Sequence, residues 1–261
     1  MFFWYALRRY YFLERGVYEK RLKSMLENVG DVGTIFWGNA FTCPVSPKKP
    51  EFQGWMQQFV TDHQLQQLVY LKQEHLATGL VLDQSLEKSA PSTIFSAYEG
   101  DYLITNQVKL GIAILTADCL PIVLYDPVQK IIAVAHAGWK GTVRGIAANV
   151  VKQMHERFGS QPEQLKVSFG AHAHTCCYEV QADFMGHIRK ELLAHVVVQR
   201  EGKNYFDSAA YNKLELVAAG VVATAITNQF NCTICDDSYH SRRRDGAEYV
   251  GQSTIVWLST F

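Results

Sequence analysis

Hydrophobic positions recur along this chain with two different periods. Between residues 52 and 63 the apolar side chains stand three and four residues apart, which predicts an amphipathic helix. Short apolar runs bounded by turn residues predict strands instead. In the first half of the chain such strands are predicted at 68–71, 102–105 and 111–116, and the polar composition of 83–96 indicates a surface loop.

The second half of the chain alternates predicted strands and helices. The predicted strands lie at 122–125, 130–135, 166–170 and 253–258. The predicted helices lie at 143–158, 181–195 and 209–222, the first with Thr142 as its N-cap. Strands alternating with long helices, together with one hairpin, favour an α+β fold, a single layered domain with a mixed sheet flanked by helices.

Length and composition indicate an ordinary globular protein. The chain has 261 residues, 48% hydrophobic and 19% charged. The globular pattern becomes convincing only near residue 32, so we expect 1–30 to form an N-terminal extension and 31–261 a single domain. The apolar start is too short to span a bilayer, and Arg8 and Arg9 interrupt any resemblance to a secretion signal.

The charge and the cysteines bear on partners and location. The 25 basic and 25 acidic residues cancel, so no global field attracts nucleic acid or an anionic membrane, and we expect a monomer or homodimer without either partner. The adjacent Cys176 and Cys177 could not easily bridge to each other, which favours reduced thiols and a cytoplasmic protein. Cys232-x-x-Cys235 is half of a zinc-ribbon pattern without a matching half, so we interpret it as two partly buried strand thiols.

Candidate chemistry centres on the predicted hairpin. With the turn at 126–129, Cys119 falls directly opposite His136, and side chains so paired have Cβ atoms about 5 Å apart. A thiolate and an imidazole at this distance could hold zinc or perform nucleophilic chemistry; a buried apolar cysteine beside a structural histidine is the alternative. His75, at the end of a predicted strand, is a candidate third ligand.

Two basic segments are candidate anion sites. Residues 138–142 lead from His136 towards a helix N-terminus, where free backbone N–H groups favour phosphate and Lys140 or Arg144 adds charge. Arginines 242–244 form the second, since a guanidinium binds phosphate bidentately. A tight turn and a solvated or ion-paired cluster are the respective alternatives.

These residues resemble motifs of the polyphenol oxidase (laccase-domain, YfiH-type) family. The similarity runs from about residue 68 to 258, and its most specific motifs are Thr116 to Pro121 and His136 to Gly141, with Lys140 where arginine is commoner. Further matches are Gln73-Glu74-His75, the stretch from Cys176 to Val180, residues 212–220 and residues 241–246. The family's usual opening motif is missing from 34–49, and His172 and His174 are additions that could extend a metal site or be incidental.

The resemblance implies a fold, an activity and a site. The fold is that of the cytotoxic necrotizing factor and YfiH type. The activity is phosphorolysis of adenosine, inosine and methylthioadenosine by a purine nucleoside phosphorylase, with adenosine deamination beside it. Zinc would be held by His75, Cys119 and His136, with copper possible because older descriptions of the family name a copper-dependent polyphenol oxidase.

The remaining candidate site residues follow from this interpretation of the chain as a member of the family. Cys119, His136 and Asp118 are the candidate catalytic residues, although strand alternation directs Asp118 away from Cys119 unless a bulge intervenes. Gln73 is a candidate for positioning or proton handling, and Lys140, Arg243 and Arg244 are candidates for substrate and phosphate binding. A metal-free Cys119–His136 amidase-like hydrolase acting on peptidoglycan precursors is the main alternative, ahead of a copper oxidase and a non-enzymatic binding protein.

Overall fold

The secondary structure is dominated by short strands. The computed structural model describes residues 32–36, 50–83, 93–246 and 250–259. The predicted extension 1–30 and the region 37–49 lie outside the described residues. The strands are β1 (Val32–Phe36), β2 (Gln67–Lys72), β3 (Gly79–Leu82), β4 (Thr93–Glu99), β5 (Tyr102–Thr105), β6 (Leu110–Thr116), β7 (Leu120–Asp126), β8 (Ile131–Ala137), β9 (Lys166–Phe169), β10 (Glu179–Val180), β11 (Val197–Arg200), β12 (Lys203–Phe206), β13 (Ile226–Asn228) and β14 (Gln252–Leu258).

Six α-helices lie in the described part of the chain. They are α1 (Pro50–Asp62), α2 (Trp139–Val143), α3 (Ile146–Phe158), α4 (Leu193–Val196), α5 (Ser208–Ala218) and α6 (Arg242–Asp245). Short 3-10 turns lie at Pro162–Gln164, Ala182–His187, Lys190–Leu192 and Ala223–Ala225. No helix in the described part of the chain is both long and apolar enough to cross a membrane.

The strands form two large mixed sheets and one small sheet. One large sheet has the order β1-β14-β6-β2-β4, the other has the order β13-β9-β7-β8-β5-β3, and the small one has β10-β12-β11. Strand β2 is parallel to both β4 and β6, whereas β7 and β8 form an antiparallel hairpin. The predicted α+β fold with a mixed sheet flanked by helices is therefore confirmed.

Three apolar layers hold the sheets and helices together. Side chains such as Ile112 of β6 and Val134 of β8 fill the space between the two large sheets. The other face of the six-stranded sheet packs on α3 and α5. The other face of the five-stranded sheet packs on α1. Because β7 and β8 are covered on both faces, every one of their residues is buried, as expected for a central pair.

Three predicted elements are wrong. The loop predicted at 83–96 includes the start of β4, whose backbone pairs with β2, so sheet pairing overrides composition there. The helix predicted at 143–158 is broken: Gly145 has φ +78° and caps α3, while Thr142 lies inside the separate helix α2. The helix predicted at 181–195 is a series of 3-10 turns ending in the short α4.

The last of these errors has a packing cause. Phe184, Ile188 and Val196 are buried against Phe206 and Tyr211, in a small core beside the three-stranded sheet. The spacing of these apolar residues resembles that of one face of a helix. In the structure, however, the segment forms 3-10 turns that lead into β11 and β12. An apolar run of this length does not by itself distinguish the two.

Candidate metal centre and adjoining cavity

His75, Cys119 and His136 meet at one place in the structure. One potential ligand atom from each lies within 4.8 Å of those of the other two. His75 follows β2, Cys119 directly precedes β7, and His136 lies in β8. The three residues predicted as metal ligands are thus brought together by three separate segments.

The β7–β8 hairpin brings Cys119 and His136 together in a pairing register that differs by two residues from the predicted one. Pro121, not Cys119, pairs with His136, so the predicted direct opposition is wrong. The turn lies at 127–130, because the Asp126 carboxylate accepts two of its backbone N–H groups, at 2.8 and 3.0 Å. A two-residue change keeps each side chain on its face of the sheet, so Cys119 still approaches His136, now diagonally.

Asp101 positions both histidines. Its buried carboxylate lies 2.7 Å from Nδ1 of His136. The same carboxylate accepts the backbone N–H groups of Glu74, His75 and Leu76, at 3.3, 3.0 and 2.7 Å. Because Nδ1 of His136 is engaged, its Nε2 is left for a metal, which is the usual role of a carboxylate behind a metal-binding histidine.

The turn that carries His75 lies against Gly138 and needs a glycine at that position. His75 has φ +58°, a left-handed conformation uncommon for a residue with a side chain. A Cβ added at Gly138 would lie 2.7 Å from Cδ2 of His75 and 3.3 Å from Sγ of Cys119. Gly138 therefore allows the backbone after β8 to pass close to two of the three ligands.

Cys119 and His136 shift each other's pKa in the directions that favour a thiolate–imidazolium pair. Burial raises the pKa of Cys119, but the charge and hydrogen bond of His136, with a hydrogen bond from His75, lower this pKa to about 6. Burial lowers the pKa of His136, yet the charge of Cys119 and the hydrogen bond to Asp101 raise that pKa to about 9. The pair is therefore charged at neutral pH.

Asp118 is turned away from the three ligands. It has φ +82°, and its carboxylate accepts a hydrogen bond from Thr233 Oγ1 at 2.7 Å and from the backbone N–H of Arg243 at 2.8 Å. The prediction from strand alternation agrees with this orientation. The geometry gives Asp118 a positioning contact with helix α6, which carries Arg243, rather than contact with the reacting groups.

The Gln73 amide is engaged with the backbone of β6. Its Nε2 donates to the Leu115 carbonyl at 2.7 Å, and its Oε1 accepts the Leu115 N–H at 2.8 Å. Through these two bonds, the Gln73 side chain extends the parallel pairing of β2 with β6. The bonds hold the segment leading to His75, so the geometry favours a positioning role for Gln73.

The basic candidates differ in how far they are engaged. All five N–H donors of Arg244 are engaged, by the Asp245 carboxylate and the carbonyls of Thr233, Asp236 and Tyr239, which argues against the phosphate role predicted for it. The Arg243 guanidinium lies 5.2 Å from the Tyr178 ring centre and donates to the Glu179 carbonyl at 2.5 Å.

Lys140 is exposed at the start of α2. Its Nζ lies 5.7 Å from the Trp139 ring centre. Helix α2 has only five residues, and Arg144 stands after its last turn at the break before α3. Lys140 therefore lies beside Trp139, which is one of the residues lining the cavity described next.

A cavity of about 560 Å³ lies near the candidate metal centre, whose three ligands are not among the residues that line it. Trp139, Tyr178 and Phe184 supply aromatic walls, and Arg243 supplies a positive charge. Trp139 directly follows Gly138, and the charge of Cys119 adds to burial in raising the pKa of Tyr178. The volume falls within the range of small-molecule sites, about 300–1,000 Å³.

The two additional histidines do not join the centre. Among the described residues, the group at Cys119 holds only His75 and His136 as further ligands. Nδ1 of His172 lies 2.8 Å from the Gly170 carbonyl, and its ring lies 4.3 Å from that of His174. Burial and the neighbouring His174 lower the pKa of His172 to about 3, so it is neutral at ordinary pH.

In the sequence, Cys232-x-x-Cys235 is half of a zinc-ribbon pattern without a matching half. In the structure, two further cysteines lie beside it and supply that half. Sulfur atoms of Cys176, Cys177, Cys232 and Cys235 all lie within 4.8 Å of one another. The interpretation of the last two as isolated strand thiols is therefore wrong, because residues about 55 positions earlier in the chain fold against them. All four are free thiols in the structure.

Two residues essential to this arrangement escaped the sequence analysis. Asp101 gave only a weak signal, an acidic residue directly before the apolar strand β5. Tyr178 was noted within a motif but not as a cavity wall. Their roles depend on contacts between segments distant in the sequence, which no local pattern reports.

The fold is a layered α+β fold, and it carries one thiolate and two imidazoles near an aromatic cavity. These features define the class of protein. The chain belongs to the family described as multi-copper polyphenol oxidoreductase laccase, whose model matches residues 53–259. The resemblance to the polyphenol oxidase family is thereby confirmed.

Named relatives fall into two kinds. A purine nucleoside phosphorylase of Borreliella burgdorferi is 39% identical over 150 residues, 56% of this chain and 64% of the relative. Adenosine deaminase RL5, from an unknown prokaryotic organism, is 36% identical over 188 residues, 70% of this chain and 71% of the relative. The chain thus spans less than two thirds of the first relative's length.

Solved structures support the fold. YfiH from Bacillus licheniformis superposes with a TM-score of 0.77 at 24% identity, covering 87% of this chain and 93% of that chain. YlmD from Geobacillus stearothermophilus gives 0.72 at 22% identity, covering 88% and 92%. At these identities the likeness concerns the fold alone.

Proposed function

We propose that this protein is a zinc-dependent purine nucleoside phosphorylase with adenosine deaminase activity. The observation that carries the proposal is the meeting of His75, Cys119 and His136, with the cavity wall Trp139 three residues after His136 in the chain. The names of the two relatives, one a phosphorylase and one a deaminase, support the same pair of reactions.

The three side chains fit zinc by their chemistry. One thiolate and two imidazoles are donors that zinc prefers, and three protein ligands leave a fourth position for water or substrate. When bound, zinc supplies Lewis acidity and lowers the pKa of bound water towards neutrality. Asp101 engages Nδ1 of His136, which leaves Nε2 as the nitrogen for a metal once the ring is neutral.

The cavity walls suit a nucleoside. Trp139 and Tyr178 offer aromatic faces to a flat purine base, and stacking of this kind tolerates different bases. Arg243 and Lys140 offer positive charge to phosphate, with the bidentate guanidinium the better match. In phosphorolysis a phosphate oxygen forms a bond to C1′ of the ribose, the C1′–N9 bond breaks, and its electron pair leaves with the base.

Deamination of adenosine requires the nucleoside to bind in a different orientation. Water adds to C6 of the purine and ammonia leaves, so the base edge rather than the ribose must face the metal centre. His136 and Asp101 form a hydrogen-bonded pair that holds a proton at Nδ1 while the thiolate of Cys119 is ionised. We expect the two reactions to require two orientations of the nucleoside in one cavity.

The product of a single incubation tests the proposal. Zinc-loaded protein incubated with inosine and phosphate should release hypoxanthine and ribose 1-phosphate, and omission of phosphate should abolish the ribose 1-phosphate. Adenosine supplied without phosphate should yield inosine and ammonia. If ribose 1-phosphate is absent although zinc is present in stoichiometric amount, the phosphorylase proposal fails.

A second candidate is a metal-free cysteine hydrolase acting on amides such as those of peptidoglycan precursors. The specific observation in its favour is the lowered pKa of Cys119, about 6, beside the protonated His136. The metal content separates the two, because a thiolate bound to zinc is a poor free nucleophile. Protein purified without chelators that lacks metal and is rapidly alkylated at Cys119 would favour the hydrolase.

Copper chemistry is the third candidate, and it rests on the family description. Two imidazoles and one thiolate also suit copper. The same elemental analysis identifies the bound metal, and copper with oxidation of a phenolic substrate would replace zinc in this proposal.

A further inference from the structure

A second group of metal-binding side chains lies outside the centre described above. It consists of the four sulfur atoms of Cys176, Cys177, Cys232 and Cys235. Cys232 is buried, Cys177 is partly exposed, and the other two are exposed. The group therefore lies at the surface, where an ion can enter, with one ligand anchored in the interior.

The sulfur positions are those of a small cage. Sγ of Cys235 lies 2.9 Å from Sγ of Cys177 and 3.3 Å from Sγ of Cys176, and all four sulfurs lie within 4.8 Å of one another. In a tetrahedral zinc site with bonds of about 2.3 Å, neighbouring sulfurs are about 3.8 Å apart. Four thiols already gathered to this degree need only small side-chain movements to surround one ion.

Backbone hydrogen bonds around Cys232 supply an independent indication. Its sulfur accepts the backbone N–H of His174 at 3.4 Å, and it also accepts those of Ile234 and Cys235. Bonds from residues two and three positions ahead bend the Cys-x-x-Cys loop around the first sulfur. Hydrogen bonds to ligand atoms are the outer partners that orient metal-binding side chains.

Charge near the group favours an anionic centre. One zinc ion with four thiolates carries a net charge of −2. The Arg200 guanidinium donates to the Cys176 carbonyl at 3.1 Å and interacts electrostatically with that residue's thiol. A fixed positive charge therefore stands beside the exposed side of the sulfur group.

We propose that Cys176, Cys177, Cys232 and Cys235 bind a structural zinc ion, distinct from the metal at His75, Cys119 and His136. Four thiolate ligands leave no open position, so this ion holds structure and performs no chemistry. Binding releases the thiol protons to solvent and forms four zinc–sulfur bonds, with no change of oxidation state.

The ion would join the segment that leads into the cavity wall Tyr178 to the loop that contains Cys232 and Cys235. Tyr178, a cavity wall, directly follows Cys177. Thr233 directly follows Cys232 and donates to Asp118, whose carboxylate also accepts the N–H of Arg243. Among the described residues, the backbone contacts between the two cysteine loops include the bridge between His172 and Cys232 and the bond from Thr233 N to the His172 carbonyl.

Metal stoichiometry in matched variants tests this proposal. Full-length protein purified with zinc and without chelators should contain two zinc ions per chain. Cys119→Ala should contain one, Cys235→Ser should contain one, and the double variant should contain none. The two single variants are matched controls, because each removes one thiolate and leaves the other group intact.

Cobalt gives a second readout that does not require Cys235→Ser to fold. Cys119→Ala protein loaded with Co²⁺ should show the intense sulfur-to-cobalt charge-transfer and tetrahedral ligand-field bands of four thiolates. A spectrum lacking these bands would overturn the proposal. So would a single zinc ion in the wild-type protein that is lost in Cys119→Ala and retained in Cys235→Ser.

Oxidation is the competing fate of the same sulfurs. If the group forms a disulfide instead, thiol titration of the unfolded, unreduced protein will find two thiols fewer than the six cysteines of the sequence. That result, with no second zinc ion after purification under reducing conditions, would also overturn the proposal. Either outcome is independent of whether inosine is phosphorolysed.

Discussion

One buried carboxylate determines the geometry of the metal centre at the scale of single residues. Asp101 fixes the His136 ring through Nδ1 and the turn carrying His75 through backbone N–H groups. Burial raises the pKa of Asp101, but the hydrogen bonds of His136 and Leu76 outweigh it, so the net pKa is lowered and the carboxylate stays ionised. An ionised carboxylate in this position strengthens the electron donation of the histidine to a metal.

Asp101→Asn should weaken the centre without changing its ligands. The amide keeps one oxygen acceptor but loses the charge that supports His136, so we expect zinc affinity to fall by about 10- to 100-fold. Competition with a fluorescent chelator measures this affinity. Asp126→Asn is the matched control, because Asp126 is equally buried but serves the β7–β8 turn. Equal loss in both variants would contradict the role assigned to Asp101.

The pH dependence of alkylation reports the state of Cys119. Because its pKa is lowered to about 6, the thiolate fraction rises as pH increases through 6 and is nearly complete at pH 7. In metal-stripped protein, the rate of iodoacetamide labelling at Cys119 should therefore be half-maximal near pH 6. Cys177, whose pKa is raised to about 11 by its hydrogen bond to Cys235, should label far more slowly at pH 7.

Mass spectrometry of labelled peptides separates the two sites. Zinc added before the reagent should protect Cys119. A half-maximal rate near pH 9 would contradict the thiolate–imidazolium pair.

At the scale of elements, the ends of strands deliver the chemistry. His75 follows β2, Asp101 precedes β5, Cys119 precedes β7, and the β8 residue His136 lies close to the start of α2. Strand pairing fixes where each end falls, so the side chains meet without long loops of their own. Loops held by a rigid scaffold are a usual place for functional residues.

The longer elements could mostly be predicted from local pattern, whereas short ones such as β3, β11, β12 and β13 were not predicted. Strand β5 was predicted with its observed bounds, and α1, β2, β6, β9, α5 and β14 lie within a few residues of their predicted ranges. Their apolar periods are long or cleanly bounded. The pairing of Cys119 with His136 was predicted because they flank one hairpin, a local relation that survives a two-residue change of register. His75 was a candidate from its place at a strand end, and the family resemblance joined it to the pair.

What failed to be predicted depends on distant contacts. The start of β4 has a loop-like composition and becomes a strand only by pairing with β2. The Cys-x-x-Cys motif found its partners at Cys176 and Cys177 through the tertiary fold. Asp101 is identified as a positioning residue only once the segments bearing His75 and His136 are adjacent.

The start of α2 passes close to the centre and supplies a prediction at this scale. Gly138→Ala places a methyl group 2.7 Å from His75 and 3.3 Å from Cys119, so His75 must move. We expect reduced zinc affinity with little loss of helix content, measured by chelator competition and circular dichroism. Gly54→Ala, which meets nothing within 4 Å, is the control. Unchanged affinity in Gly138→Ala would contradict the close approach.

At the scale of the whole molecule, binding of an anion has to be local. The formal net charge is zero, so phosphate is not drawn by an overall field. The proposed phosphate contact therefore depends on individual side chains at the cavity, of which Arg243 is the arginine in its lining. This dependence distinguishes the proposed site from a generally basic surface.

Arg243→Gln should raise the KM for phosphate by roughly tenfold or more, because a charge-assisted hydrogen bond contributes about 1.5–3 kcal/mol. The KM for inosine should change less. Arg242→Gln is the matched control, since Arg242 is the adjacent arginine and does not line the cavity. Steady-state kinetics with varied phosphate measure both values. An equal rise in both variants would indicate a non-specific charge effect.

The central claim is that the metal at His75, Cys119 and His136 enables cleavage of a purine nucleoside. The most direct measurement is formation of ribose 1-phosphate from inosine and phosphate by protein stripped of metal and then reloaded with zinc. The account predicts no activity after stripping, recovery on addition of zinc, and no recovery in folded His75→Ala protein. Activity in the stripped protein, or none in the zinc-loaded protein, would contradict it.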